Sequence, residues 1–215
     1  MDADTLLKLN RWFSPAFPTG GFAWSHGLES EIAAGRVRAP AQLADWLAAV
    51  LEQGAGRNDA ILLAASWRAG DDDAERQALA ELALALAPGA ERAAETQAQG
   101  AAFARTLGES GEMNLPPWPL PVAAGAAARA AGLALGDTLL LYLQAFAANL
   151  VSVAVRHVPL GQSAGQAVLA GLAPAIRQTA EAAGQATTDD LGGCALAADI
   201  ASLEHETLQP RMFRS

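Results

Sequence analysis

Lysine is almost missing from this sequence, since Lys8 is the only one among 215 residues. A Walker A loop needs the pair Gly-Lys followed by Ser or Thr to hold the phosphates of a nucleotide, and no such pair occurs. Lys8 itself lies in an ordinary apolar-periodic stretch at the start of the chain. The sequence therefore excludes P-loop nucleotide hydrolysis and the usual Schiff-base chemistry for this chain.

Cysteine and histidine are also scarce. The single Cys194 excludes an internal disulfide, which fits a reducing cytoplasm. The densest set of metal donors is 204–206, Glu-His-Glu, but consecutive residues on a helix point in different directions. The three histidines are far apart in sequence: His26, His157 and His205. None of these spacings is typical of a stored zinc or nickel site, so we expect none.

Positive charge is limited to 14 residues against 23 acidic ones, which gives a net charge of −9. This balance argues against a nucleic-acid binder and against docking on an anionic membrane. The first residues do not show the pattern of a secretory signal, so we expect none. The most hydrophobic run, Leu139 to Val155, is short for a membrane span and contains Gln144 and Asn149, which predicts a central buried helix.

Strand patterns are nearly absent, whereas helical periodicity dominates. We predict an all-α fold, a single-domain helical bundle of about eight to ten helices over residues 1–215, without internal repeats. The helix at 89–108 is mostly polar, and we expect a partner to cover it rather than the core of a monomer. The predicted helices begin around Leu6 to Leu9 and continue at 28–35, from Pro40, and at 59–69, 73–87, 89–108, 121–133, 137–156, 161–183 and 190–205.

The segment SPAFPTGGFAWSHGLESE, residues 14–31, places Ser25 directly beside His26. Adjacent positions on a helix diverge by about 100°, and a Ser-His nucleophile pair needs a third orienting group that the sequence does not supply. A small helical hydrolase is therefore a disfavoured alternative. We predict that Ser25 is a cap or turn residue and that His26 is a surface or hydrogen-bonded polar side chain.

Gly20 and Gly21 precede a predicted helix, where backbone N–H groups can bind an anion. Neither a preceding strand nor a nearby lysine or arginine supports a phosphate site. A tight turn between Pro18 and the helix explains the glycine pair more simply.

Residues 211–215, Arg-Met-Phe-Arg-Ser, combine two cations with two large apolar side chains in an acidic protein. Arg, Met and Phe are enriched in the centres of interfaces. We predict that this C-terminal docking tail, residues 206–215, packs either within the protein or onto a partner.

Three segments in order resemble the signatures of the UreF family of urease accessory proteins. The first is SPAFPTGGFAWSHGLE, the second is VRHVPLGQSAGQ at 155–166, and the third is ASLEHETLQPRMFRS at 201–215. A fourth, GAAFARTL at 100–107, is similar to a patch on the polar helix. The likeness covers nearly the whole chain.

The resemblance implies an all-α, homodimeric, cytoplasmic protein without catalytic activity. UreF proteins bind the scaffold UreD (also called UreH) and the GTPase UreG, and the complex delivers nickel to apo-urease. GTP would then be bound by UreG, and this chain would hold no stable cofactor, with nickel only in transit. The alternative is a generic helical dimerisation module unrelated to urease.

The resemblance also assigns partner-binding positions within the three signatures. Here the family's common Tyr-Ser pair is replaced by Gln209 and Pro210, and His157 replaces a common apolar residue. Transient nickel contacts would involve the three histidines. The partner-binding positions are Gly20, Gly21, Ser25, His26, Glu29, Arg156, Gly161, Gln162, His205, Glu206, Arg211, Phe213, Arg214 and Ser215.

Overall fold

Helices make up the architecture of the protein. The computed structural model describes residues 2–158 and 160–214, and within these ranges it contains eleven α-helices and no strand. The predicted all-α class is therefore confirmed. The helices are α1 (Ala3–Trp12), α2 (Leu28–Ala33), α3 (Pro40–Glu52), α4 (Ala55–Arg68), α5 (Asp73–Ala85), α6 (Ala90–Glu109), α7 (Leu120–Ala130), α8 (Leu135–His157), α9 (Gln162–Gly171), α10 (Ala173–Gln185) and α11 (Leu196–His205), with short 3₁₀ helices at Gly21–Ala23 and Thr188–Asp190.

Several helices begin where capping chemistry predicts. The side chain of Asp2 accepts a hydrogen bond from the backbone N–H of Thr5 at 2.8 Å, which caps α1. Asp72 caps α5 in the same way through Glu75 N–H at 2.9 Å. Pro40 is the first residue of α3, where its missing N–H costs nothing. These starts follow directly from local sequence.

One predicted helix is divided in two. The sequence pattern indicates a continuous helix at 161–183, but the structure separates α9 from α10 at Leu172. Pro174 is the second residue of α10, and proline cannot donate to the preceding turn, so it kinks or breaks a helix when it stands in the interior. If α9 and α10 are counted together, the described helices number ten, the upper end of the predicted range.

The most extensive helix packing among the described residues joins α4 and α7. At Gly125 a side chain would overlap the carbonyl oxygen of Leu63, so only glycine allows this approach. The contact also satisfies a buried hydroxyl, because Ser66 Oγ donates to the carbonyl of Val122 at 2.7 Å. The two helices therefore form a rigid pair on which α6 and α10 pack.

Helix α8 is the long apolar helix that the sequence predicted at the centre. Among the described residues it is the one helix whose length and composition would suit a membrane span. Half of its apolar stretch is buried inside the molecule, and it packs against α2, α4 and α10. Its buried face includes Leu139, Leu143 and Leu150, so the helix serves the core of the bundle.

Helix α6 differs from its prediction. The polar pattern suggested little surface to bury, yet α6 packs against α7 and buries Phe103 and Leu107. Its charged residues are buried as well, since Arg92 and Glu95 form an ion pair within the helix and are only 6% and 5% exposed. Opposite charges can be buried when they form an ion pair. The pair of Arg92 and Glu95 was not predicted from the composition of the helix.

Candidate functional site

The loop between α1 and α2 folds tightly back onto the molecule. Gly20 has φ of +75°, a conformation that favours glycine, and it begins the 3₁₀ helix Gly21–Ala23. The side-chain amide of Asn149 on α8 donates to the carbonyl of Gly21 at 3.0 Å. The tight turn predicted for the glycine pair is therefore present, and α8 fixes its position.

Ser25 and His26 complete this loop from inside the protein. Ser25 is fully buried, its carbonyl accepts from Leu28 N–H at 3.0 Å and its Oγ accepts from Glu29 N–H at 3.4 Å. The N-cap of α2 is Gly27, so of the two predicted roles for Ser25, cap or turn, the turn is confirmed. His26 is 4% exposed, and its ring lies edge-on to Phe146 at 5.2 Å. Its φ of +57° turns the side chain inward, so the predicted surface position was wrong.

The environment of His26 keeps its ring neutral. Burial and the nearby positive charge of Arg92 lower the pKa of His26 well below its usual value. Its Nδ1 lies 3.8 Å from Glu95 and has no hydrogen-bond partner among the described residues. The alternative of a hydrogen-bonded polar side chain is therefore also wrong for this nitrogen. None of the hydrogen bonds in the described structure joins His26 to Ser25, so no nucleophile-base pair is formed.

A cavity of about 410 Å³ lies beneath the loop, and its wall is mostly apolar. At its edge the hydroxyl of Tyr142 donates to Asp59 Oδ2 at 2.9 Å. Burial raises the pKa of Asp59 to about 6, although Arg92 and Tyr142 act in the opposite direction. The aromatic side chains that line the cavity include Trp12, Phe13, Phe17, Phe103 and Phe146.

Glu29, in the first turn of α2, connects the loop to the C-terminal tail. Its carboxylate is 1% exposed and accepts the backbone N–H groups of Met212 at 2.7 Å and of Phe213 at 2.9 Å. Glu29 Oε2 also lies 2.9 Å from Nε2 of His205. Burial alone would raise the pKa of Glu29, but these three hydrogen bonds outweigh it and lower the pKa below its ordinary value.

The tail packs against its own chain. The sequence predicted that it would pack either within the protein or onto a partner, and the structure shows the first of these. Phe213 is 4% exposed and packs into the hydrophobic core. The guanidinium of Arg156, in the last turn of α8, stacks 4.9 Å from the Phe213 ring centre. Arg214 donates its backbone N–H to Ala23 at 2.9 Å and lies over the ring of Trp24. Residues 211–214 therefore belong to the folded body.

Helix α11 and the tail also bind the start of α6. Glu206 Oε1 accepts from Ala90 N–H at 2.8 Å and thereby caps α6. Nδ1 of His205 lies 2.7 Å from Glu91 Oε2, and Arg211 forms an ion pair with the other oxygen of Glu91. The sequence alone did not indicate Glu91, because nothing in its neighbourhood marks it as the partner of residues more than 110 positions away.

The candidate nickel-contacting histidines occupy different environments. Both ring nitrogens of His205 face carboxylates, and His26 is buried. His157 Nε2 is 3.9 Å from Glu29 Oε1, and its side chain is 24% exposed. Over residues 2–158 and 160–214, no group of three or more His, Cys, Asp or Glu side chains is arranged to hold a metal ion. A transient nickel contact stays a prediction.

The structure brings the first signature segment, residues 14–29, into contact with the third, residues 201–215. Arg156 from the second segment also contacts the tail, through Phe213. Gly161 and Gln162 begin α9, and none of the described contacts joins them to the tail. Ser215 lies outside the described residues. The partner-binding role of all these positions stays a prediction.

Two exposed apolar side chains, one in the loop and one in the tail, were not among the predicted partner-binding positions. Phe22 is 68% exposed and Met212 is 65% exposed. Arg156 joins Phe22 to the tail, because it donates to the carbonyl of Phe22 at 3.1 Å and stacks on Phe213, the residue after Met212. We call Phe22, Met212, Arg156 and Arg214 the tail face. Met212 was recognisable from the composition of the tail, whereas the exposure of Phe22 depends on the fold of the loop.

Comparison with known proteins agrees with the signatures. The family model described as UreF matches residues 37–173. Similar relatives include urease accessory protein UreF from Cereibacter sphaeroides strain KD131, which is 54% identical over 210 residues and 98% of each chain. The UreF protein of Roseobacter denitrificans is 49% identical over 215 residues, 100% of this chain and 96% of its own. That of Mesorhizobium japonicum is 44% identical over 222 residues, 98% of this chain and 96% of its own.

The family model spans α3 to α9, and the relatives extend the likeness to the loop and the tail. The curated relatives are named as accessory proteins rather than as enzymes. The chain belongs to the UreF family of urease accessory proteins, and its role lies in the maturation of urease.

Proposed function

We propose that this protein binds the scaffold UreD (UreH) and the GTPase UreG, and that the complex regulates GTP-dependent nickel delivery to apo-urease. In this role the chain is a homodimeric cytoplasmic chaperone without catalytic activity. GTP is bound by UreG, and nickel passes as cargo without a stored site in this chain. The proposal follows from family membership and from the chemistry of the tail face.

The observation that carries the proposal is the composition of the tail face. Phe22 and Met212 expose most of their surface. Arg156 donates to the carbonyl of Phe22, and Arg214 follows Met212 by two positions in the tail. Among the described residues neither arginine pairs with a carboxylate, although the chain carries 23 acidic residues. Exposed apolar side chains flanked by arginine are typical of protein interfaces.

The test is a pull-down of UreG by the complex of UreD with this protein. We expect the double variant Phe22→Ala and Met212→Ala to lose binding by at least tenfold and to lose urease activation, because both side chains lie at the tail face. The matched control is Leu6→Ala with Leu7→Ala, which removes two apolar side chains of α1 that are 48% and 65% exposed. Equal binding by the two double variants would contradict the assignment of this surface.

A truncation lacking residues 206–215 tests the tail as a whole. We expect it to abolish both the complex and urease activation. Because Phe213 belongs to the core, circular dichroism must show that the truncated protein keeps its helices. Unchanged complex formation and unchanged activation would contradict the role of the tail.

A further inference from the structure

The cavity beneath the loop between α1 and α2 has the size and the wall of a small-molecule site. Its volume of about 410 Å³ is typical of ligand pockets, whereas close-packed protein interiors leave few voids larger than a water molecule. Water suits it poorly, because an ordered water needs two to four polar partners and most of this wall is apolar. Phe22, which is 68% exposed, belongs to the wall, so the cavity reaches the surface.

The wall is fixed by packing on one side and by a hydrogen bond on the other. The ring of Phe103 packs edge-on to Trp12 at 5.9 Å and lies 5.2 Å from the ring of Phe17. On the loop side, Asn149 holds the carbonyl of Gly21 at 3.0 Å. Rings fixed in this way present flat apolar surface, which favours a flat aromatic ligand.

Amide oxygens supply the polar part of this wall. Gln99 donates its side-chain N–H to Glu95 Oε1 at 3.0 Å, as Asn149 does to the carbonyl of Gly21. Because each amide nitrogen has an acceptor as its partner, the other end of each group is an oxygen, which can only accept. None of the hydrogen bonds among the described residues donates to these two oxygens. Gln99 precedes Phe103 by one turn of α6, so both lie on the same face of the helix.

The charge of the wall favours an uncharged ligand. The described residues that line the cavity include no Lys, Arg or His, and Glu95 is the one acidic side chain among them. Arg92, which is 6% exposed, already forms an ion pair with Glu95. A charged ligand would therefore lose its water without gaining a counter-ion, which is unfavourable.

We propose that the cavity binds a small uncharged aromatic molecule that carries one hydrogen-bond donor and has about the size of indole. Its ring packs against the aromatic side chains around Phe103, and its donor bonds to Gln99 Oε1. The site belongs to the isolated chain and does not depend on the proposed partners.

Titration of the full chain with indole, followed by calorimetry, tests the site. We expect one molecule to bind per chain with a dissociation constant below about 1 mM. Indene has rings of the same size without the N–H, so it should bind at least threefold more weakly. A lack of saturable indole binding would overturn the proposal, and so would equal affinity for indole and indene.

A variant that fills the cavity locates the bound indole. Ala148 lines the cavity from α8, so Ala148→Phe should lower the affinity for indole at least tenfold. The matched control Ala98→Phe adds the same side chain at an exposed position of α6 outside the wall, and we expect less than a twofold change. Equal effects of the two variants would place indole elsewhere and overturn the proposal.

Gln99→Leu tests the acceptor, and it decides if circular dichroism shows that Ala148→Phe does not fold. The leucine keeps an apolar side chain of similar length but removes the amide oxygen. We expect indole to bind this variant as weakly as indene does, while the affinity for indene stays within twofold. A merely structural change would weaken both probes alike. A preference for indole that survives in Gln99→Leu would overturn the assignment of the acceptor.

Tryptophan and tyrosine side chains of a partner protein have the same chemistry as the proposed ligand. Pull-down of UreG by the complex with UreD, with and without saturating indole, separates the two sources. We expect unchanged capture, because the occupant is a free molecule. Loss of capture would show that a partner's ring fills the cavity and would overturn the small-molecule assignment. If no complex forms at all, the proposed function fails, and the titration of the isolated chain still decides the present proposal.

Discussion

Glu29 Oε2 accepts the backbone N–H of Phe213 at 2.9 Å and so joins α2 to the C-terminal tail across 184 positions of sequence. The same carboxylate holds Met212 and His205. A single side chain thus carries much of the contact between the two ends of the chain. Its loss should affect the tail before it affects the rest of the bundle.

We expect Glu29→Gln to lower the free energy of unfolding by on the order of 2–4 kcal/mol, because the amide cannot replace three hydrogen bonds to a buried charge. Urea unfolding at pH 7 measures this change. Glu204→Gln, at a half-exposed ion pair, should change it by less than about 0.5 kcal/mol. A comparable loss in both variants would contradict the stabilising role of the buried Glu29 carboxylate.

The contribution of Glu29 also predicts an acid dependence. Its pKa in the folded protein lies below the ordinary value of 4.5. Its stabilising contribution is therefore complete above that value and is lost as the pH falls through the folded pKa. Exchange protection of Met212 and Phe213, corrected for the intrinsic rate, should fall over this acidic range, and Glu29→Gln should remove the dependence.

Phe213→Ala tests whether the tail ring is part of the core. The ring is 4% exposed, so its removal should cost on the order of 3 kcal/mol of unfolding free energy. The neighbouring Met212→Ala is the matched control, because Met212 is 65% exposed and should change stability by about 0.5 kcal/mol or less. If both variants unfold alike, residues 211–214 do not dock as described.

The two glycines Gly27 and Gly20 differ sharply in their surroundings. Both have positive φ, but a side chain at Gly27 would lie 2.7 Å from the backbone nitrogen of Ser202, whereas nothing lies within 4 Å at Gly20. We expect Gly20→Ala to cost about 1 kcal/mol from backbone strain alone. Gly27→Ala should cost several kcal/mol and separate α11 from α2, which thermal unfolding and exchange in α11 would detect.

Asp59 predicts a stability change of the opposite sign to that of Glu29. Its folded pKa is raised from 3.8 to about 6, so the folded state is favoured when Asp59 is protonated. Stability falls as the pH rises from about 4 through 6, by on the order of 1–3 kcal/mol.

Asp59→Asn keeps the acceptor for Tyr142 without the charge. We expect it to be more stable than the unaltered protein at pH 7 and similar at pH 4, measured by urea unfolding. The exposed control Asp71→Asn should show no such difference. A destabilised Asp59→Asn at pH 7 would indicate that the charge is needed.

The sequence predicted the elements whose causes are local. The helices predicted from Pro40 and at 73–87 begin where the structure has them, and the apolar run ending at Val155 indicated the central helix. The split at Leu172 was missed because a proline at the second position of a helix is compatible with either a start or a kink.

The site was predictable only in part, because its chemistry depends on distant pairs. The signatures identified Glu29, His205 and Arg211, but not that Glu91 connects the last two. The buried position of His26 also depends on its positive φ. No local sequence pattern predicts a positive φ for a histidine. Residues whose partners lie more than 100 positions away cannot be paired from one sequence.

The dependence of the tail face on both ends of the chain also has a temporal consequence. During synthesis, Phe22 and Glu29 emerge long before Met212 and Phe213, so an unfinished chain offers only half of the surface. The carboxylate of Glu29 then has neither its histidine nor its amide partners. The assembly that we propose through this surface must therefore wait until translation has passed residue 214.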